Sequence, residues 1–295
     1  SINYYLSHCS QSIINLSTTL TTVGKEVSCW SPEKGLFCIL IQNSNIALTS
    51  PDGITWTEYS LPSSGNWVSI CWSSRRKMFC AIDGTSNSSI AIISYDGLTW
   101  TNSPLLSASN WVSICWSPKV NRFLVISSTG KTLISRNGIL WLESTNLPAG
   151  DGWASICWSQ ELGIFCAISS NSISAYSSNL TTWTSITLSI SGLQNICWSP
   201  ELKLFCAVGS TASYATSPDG ITWTKRTLPS SITSPSIIWS SSLQLFIITK
   251  ASYLSYSSNG VDWTNITLEY TSGNIYCVAK LDSLISISVY SNNIK

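Results

Sequence analysis

The chain has 295 residues and a formal net charge of +1, with charged side chains at 10% of positions. It therefore carries neither a basic stripe for phosphates nor an acidic tail, which argues against nucleic acid as a partner. No apolar run approaches the ~18 residues needed to cross a bilayer, which argues against membrane insertion. Polarity comes from serine and threonine, the composition of many short, half-exposed strands joined by polar turns.

The chain starts at Ser1 rather than Met, without a basic-then-apolar leader. A trimmed start would remove a leader, so the compartment stays open, with a soluble, virion-associated or cytoplasmic protein favoured over a secreted one. Sequons begin at Asn15, Asn87, Asn179 and Asn265, about the number chance gives in a chain so rich in Ser and Thr.

In chain order, Tyr4 to Leu16 reads as two strands around a worn turn, Ser7 to Ile13. A phrase Ile-Cys-Trp-Ser, followed by Leu/Met-Phe-Cys-Ala, then recurs as a hairpin. Its tryptophans are Trp30, Trp72, Trp116, Trp158, Trp198 and Trp239, at intervals of 42, 44, 42, 40 and 41 residues. In the second copy the predicted strands are A (Val68 to Ser73), B (Met78 to Ile82), C (Ile90 to Ser94) and D from Trp100. Val68, Ile70 and Trp72 alternate with Ser69, Cys71 and Ser73, the period of a strand. Between C and D stands Ser217-Pro218-Asp219-Gly220-Ile221-Thr222-Trp223 or a relative of it, unchanged at Ser50 to Trp56. It is close at Ser94 to Trp100 and looser at Ser135 to Trp141, Ser177 to Trp183 and Ser257 to Trp263. Asp-Gly is a strong turn signal, because glycine accepts positive φ and the aspartate bonds local amides.

Four strands per repeat of ~42 residues reads as a propeller blade. Ile275 to Tyr290, with Cys277 at the repeat cysteine, supplies strands A and B of a last unit whose C and D strands come from the N-terminus. The expectation is one all-β domain over 1–295, a seven-bladed β-propeller of four-stranded blades. Residues 1–20 and 275–295 share its closing blade, which hides edges otherwise left open.

Ser-x-Asp-Gly-x-Thr-Trp resembles the Asp-box of sialidase-like (BNR) β-propellers, in the shortened form of bacterial, phage and large-virus repeat proteins. The resemblance implies a structural role, away from the central pocket. It falls on Ser50, Asp52, Gly53 and Trp56, on Ser94, Asp96, Gly97 and Trp100, and on Ser217, Asp219, Gly220 and Trp223. It also implies, as an alternative function, a structural or assembly component of a virus particle or fibre.

Cysteines nine apart (Cys29/Cys38, Cys71/Cys80, Cys157/Cys166, Cys197/Cys206) fall opposite each other on the A–B hairpin if its turn has two residues. Ile238 and Ile247 stand at the same places in the sixth repeat, which favours buried thiols over disulfides. With His8 the only histidine and no tight Cys-x-x-Cys spacing, no metal site and no cofactor is expected.

A sialidase-like glycoside hydrolase would need an arginine cluster, a tyrosine nucleophile and acidic partners at the ring centre. The five arginines (Arg75, Arg76, Arg122, Arg136, Arg226) read as scattered, and Glu33, Glu161 and Glu201 as solvated turn polarity. The expectation is thus a non-catalytic recognition module for a protein or glycan. Trp67, Trp111 and Trp153, each five residues before a strand A tryptophan, have two possible places. They either cap the blade core from the connecting loop or face a groove between blades as an exposed binding arc. The second place makes them the candidate ligand-binding residues.

Overall fold

The structure is a computed structural model that describes residues 26–53, 55–230, 235–250 and 253–267, and the backbone of 275–279 and 285–289. Six four-stranded sheets follow one another along the chain. The first holds β1 (Glu26–Ser31), β2 (Leu36–Ile41), β3 (Ser44–Ser50) and β4 (Thr57–Gly65). The second holds β5 (Trp67–Ser73), β6 (Met78–Asp83), β7 (Ala91–Ser94) and β8 (Thr101–Asn102). The third holds β9 (Trp111–Ser117), β10 (Arg122–Ser127), β11 (Thr132–Ser135) and β12 (Trp141–Glu143). The fourth comprises β13 (Trp153–Ser159), β14 (Ile164–Ser169), β15 (Ile173–Ser177) and β16 (Thr184–Thr187). In the fifth are β17 (Leu193–Ser199), β18 (Leu204–Gly209), β19 (Ser213–Ser217) and β20 (Thr224–Thr227). In the sixth are β21 (Ser236–Ser240), β22 (Leu245–Lys250), β23 (Tyr253–Ser257) and β24 (Thr264–Thr267). A two-stranded sheet of β25 (Ile275–Ala279) and β26 (Ile285–Val289) ends the described chain.

Every sheet is an antiparallel meander whose first strand packs beside the first strand of the next. Strand β25 lies against both β21 and β1. The first strands therefore surround an axis, the arrangement of a propeller. The expected A and B strands of the last unit are present as β25 and β26, while the expected contribution of residues 1–20 lies outside the described residues. No helix among the described residues is long and apolar enough to cross a membrane.

Local chemistry explains both turns. Ser73 pairs with Met78, so the A–B loop has four residues rather than the expected two, and Cys71 still faces Cys80. The serine closing each first strand makes the longer loop: Ser73 Oγ accepts the Arg76 amide at 3.1 Å, and Ser31, Ser117, Ser159, Ser199 and Ser240 act alike. In the turn before the fourth strand, Ser217 Oγ accepts the Gly220 amide at 2.8 Å and donates to Asp219 Oδ1 at 3.0 Å. The same Oδ1 accepts the Ile221 and Thr222 amides at 2.8 and 2.7 Å. Burial pushes the Asp219 and Asp96 carboxyls up, but these amides and the serine hydroxyl outweigh it and hold both below the usual carboxylate range. Where the phrase is worn, Asn137, Asn179 and Asn259 accept the same amides.

The core lies between successive sheets. Trp72, Phe79 and Trp100 stack at centroid distances of 4.7 and 6.2 Å, and join Cys38 and Leu40 of the first sheet in one cluster. The second and third sheets repeat the scheme, with Cys80 and Cys71 against Trp116, Phe123 and Trp141. The four cysteine pairs stand directly opposite in register, as Ile238 and Ile247 do in the sixth sheet. The nine cysteines whose side chains are described are free thiols. Burial pushes the Cys29 thiol up to about 12 and raises its sister thiols likewise. Inner-strand amides that no neighbouring strand covers are met from the preceding sheet: Ile114 donates to Ser69 Oγ at 3.1 Å and Ile156 to Ser113 Oγ at 3.3 Å.

Candidate functional site

The expected binding arc is corrected by its burial. Trp67, Trp111 and Trp153 are 0%, 1% and 1% exposed, whereas Trp72 and Trp158 at the other class of position are half-buried. Each of the three opens its inner strand opposite Asp83, Ser127 or Ser169, at a register irregularity. The ring packs on the preceding sheet, as Trp67 does on Cys38, Leu40 and Leu61. The indole of Trp67 donates to the Ser44 carbonyl at 3.1 Å and that of Trp111 to Ser88 at 2.9 Å, both on the preceding sheet. Leu193, fully buried at the same place in the fifth sheet, shows that the position asks for apolar volume. These tryptophans plug the seams between sheets and present no ring face to a ligand.

The turn glutamates are exposed, and each also makes a bond between sheets. Glu33 accepts the Trp72 indole at 2.6 Å, Glu161 that of Trp198 at 2.6 Å, and Glu201 that of Trp239 at 2.5 Å. Each reaches from one sheet to the strand A tryptophan of the next and latches the seam. At Glu201, burial pushes the carboxyl up, but the Ser241 hydroxyl, its own amide and the indole outweigh it and hold the group low. The axis carries a cavity of about 290 Å3 lined by Val27, Ser28, Val68, Ser69, Asn195 and Ser236 with their neighbours, and no charged side chain lines it among the described residues.

The arginines that read as scattered partly converge. Arg76 Nε donates to the Arg136 carbonyl at 2.8 Å, across the seam between the second and third sheets. Arg122 and Arg136 line one cleft of about 370 Å3 with Ile134, Ser135, Asn137, Leu140 and Leu142. Arg122 Nη1 rests on the Asn121 carbonyl at 3.0 Å; desolvation and the nearby positive Arg136 together hold its guanidinium below the usual arginine range. No acidic group is paired with either arginine among the described residues. The cleft lies on the second to fourth strands of its sheet, away from the axis.

Comparison with sister positions sets this cleft apart. The first residue of the second strand is Leu36, Met78, Ile164, Leu204 or Leu245 elsewhere, and Arg122 here. The residue after the turn serine is Pro51, Tyr95, Ser178, Pro218 or Ser258 elsewhere, and Arg136 here. Before the turn tryptophan stand Thr55, Thr99, Thr182, Thr222 and Asp262, and after it Thr57, Thr101, Thr184, Thr224 and Thr264; the third sheet has Leu140 and Leu142. Those leucines are 71% and 62% exposed. The signal was present in the sequence, as Leu-Trp-Leu in place of Thr-Trp-Thr.

One exchange has a packing cause. Elsewhere the aliphatic residue opening the second strand covers the turn glycine of the next sheet, so that a Cβ on Gly97 would meet Leu36 Cδ2 at 2.9 Å and one on Gly138 would meet Met78 Cε at 2.8 Å. In the fourth sheet that glycine is Leu180, at φ 65 and buried against Leu124 and Phe165. Leu180 supplies the apolar volume from its own sheet, which frees position 122 for a charge.

Neither a protein family model nor a curated protein matches the chain. Among solved structures it is similar to virginiamycin B lyase from Staphylococcus aureus in its selenomethionine form, at a TM-score of 0.78 and 14% identity over 90% of this chain and 92% of that one. A catalytically inactive histidine-to-alanine form of that lyase with quinupristin gives 0.78 and 14% over 92% and 94%. YCF48 bound to D1 peptide gives 0.66 and 17% over 87% of each chain. At these identities the likeness shows the fold, an all-β propeller, and nothing of the chemistry.

Proposed function

We propose that the protein is a non-catalytic β-propeller that recognises a protein partner through the cleft on its third sheet. The carrying observation is the convergence of four departures from the repeat, Arg122, Arg136, Leu140 and Leu142, on one exposed cleft. Two leucines exposed where five sister sheets place Thr or Asp do nothing for the fold, and covering them favours association. Burial of Trp67, Trp111 and Trp153 takes away the residues that motivated glycan binding. The axial cavity, whose lining among the described residues carries no charged side chain, is given no catalytic role in this reading. YCF48, a neighbour of the same fold, is seen with a peptide bound, which fits a propeller used as a recognition surface.

The test is quantitative partner capture by the natural protein and by a variant carrying sister residues, Arg122→Leu, Arg136→Ser, Leu140→Thr and Leu142→Thr. A saturable protein partner lost in the variant is expected; glycan binding or hydrolase activity that survives the four changes would overturn the reading.

We read the recurring turn as the shortened Asp-box, on the strength of its Ser-Asp-amide bonds, and the ring as seven-bladed. The seventh blade joins β25 and β26 to strands from residues 1–20. Deleting those residues is expected to lower the melting temperature of the whole ring, because repeat stability is shared between neighbours; an unchanged melt contradicts the closure. A second reading, a component of a larger particle, is favoured by Leu98, Ile139, Ile221 and Val261. These exposed aliphatics follow the turn glycine in four sheets and form a periodic rim suited to stacking. Sedimentation of the purified chain at rising concentration separates a self-stacking ring from a monomeric one.

A further inference from the structure

We propose that the third-sheet cleft takes an acidic side chain flanked by aliphatic residues, carried on an extended segment of a partner protein. The inference deepens the recognition reading above and rests on it.

Two guanidinium groups line the same cleft and repel each other, with no carboxylate to balance them among the described residues. A carboxylate seated between Arg122 and Arg136 removes that repulsion and gains charge-assisted hydrogen bonds, and the planar fork of arginine fits its two oxygens. The Arg122 guanidinium and the backbone that carries Arg136 are both held in place. The Asn121 carbonyl holds the Arg122 head, and Arg76 holds the backbone of Arg136. The exchange of glycine for Leu180 keeps position 122 out of the core.

Beside the arginines the lining holds Ile134, Leu140 and Leu142, with Ser135 and Asn137, whose side-chain oxygens accept the amides of their own turn. Ile134 and Leu142 stand directly opposite each other on β11 and β12, and Leu140 projects beside them. An anion without an aliphatic neighbour would leave these side chains wet, so the charge alone does not describe the occupant. A volume of about 370 Å3 admits a few side chains and is at the small end of the ~300–1,000 Å3 range of small-molecule pockets. Strand β12 is outermost in its sheet, and its free edge offers backbone groups to an extended segment laid alongside. Phosphate chains of nucleic acid fit less well, since among the described residues no aromatic ring lines the cleft for base stacking.

The test uses the full chain and an immobilised array of capped peptides that alternate Leu, Val or Ile with Glu or Asp, beside the same peptides with Gln or Asn and a single-stranded oligonucleotide. Selective retention of the acidic series is expected, weakened by salt and lost about tenfold or more in Arg122→Leu with Arg136→Ser, the size of a charge-assisted bond. Leu140→Thr with Leu142→Thr should weaken the same peptides while the salt dependence persists. Equal retention of the acidic and amide series, or of the oligonucleotide in their place, overturns the inference. If amide peptides bind and only the leucine variant loses them, the recognition reading stands and the acidic occupant falls. If no peptide is retained and the fourfold variant captures partners as well as the natural protein, both fall.

Discussion

Replacing Trp111 by alanine separates a seam plug from a ligand platform. The ring is 1% exposed and lies in the cluster that joins the second and third sheets. Removing a buried tryptophan costs about 3–5 kcal/mol through lost transfer energy and the cavity left behind. The Ser88 carbonyl, which accepts the indole at 2.9 Å, loses a partner at a further cost of about 1 kcal/mol. With a melting shift of roughly 2 °C per kcal/mol for a unit of this size, Trp111→Ala is expected to melt about 8–12 °C below the natural protein. Trp111→Leu, which installs the residue found at position 193, should lose about half as much. Leu142→Thr, on the surface, should stay within about 1 °C. Circular dichroism melts of the three variants decide the matter. A Trp111→Ala melt within 2 °C of the natural protein would refute the packing argument and return the ring to the candidate binding residues.

Glu161→Ala removes the acceptor of the Trp198 indole, a partly exposed bond, so a loss of about 0.5–1.5 kcal/mol is expected in urea unfolding, with no matching loss for Lys119→Ala. Equal effects would show that the latch is not stabilising. Stability should form a plateau bounded at both ends. The carboxyls of Asp96 and Asp219 sit below their unfolded values, so their contribution is complete above about pH 4–5 and declines as pH falls through the folded values. The buried cysteine thiols sit above theirs, so their contribution is complete below about pH 8 and is lost as pH rises towards the folded values, about 12 for Cys29. Urea midpoints across this range, with Asp219→Asn as a control for the acid limb, test both slopes; a midpoint that rises on acidification contradicts the first.

The repeat made the sheets legible. Alternation in Val68 to Ser73 and the Asp-Gly turns are local signals, and the observed strands begin or end within a residue or so of the expected ones. What stayed hidden depends on residues far apart in the chain. The Glu33 latch spans 39 residues and the Arg76 contact with Arg136 spans 60, so neither turn discloses its partner by itself. In the sequence the place of Trp67 is held in other repeats by Lys25, Leu193, Ser234 and Gly273, a mixture that reads as an exposed position. A seam instead accommodates Trp or Leu, because the neighbouring sheet supplies the complementary volume. The third-sheet cleft could have been found by comparing repeats at each turn position, where Arg136, Leu140 and Leu142 depart together.

The central claim is that the third sheet departs from its sisters to bind and not to fold, and the most direct measurement is the melting temperature of the fourfold variant Arg122→Leu, Arg136→Ser, Leu140→Thr and Leu142→Thr. Because the exposed leucines and the two repelling guanidinium groups add nothing to the packed seams, the account predicts a melt no more than about 2 °C below that of the natural protein. A fall of about 6 °C or more, the mark of lost core packing at roughly 2 °C per kcal/mol, would contradict it.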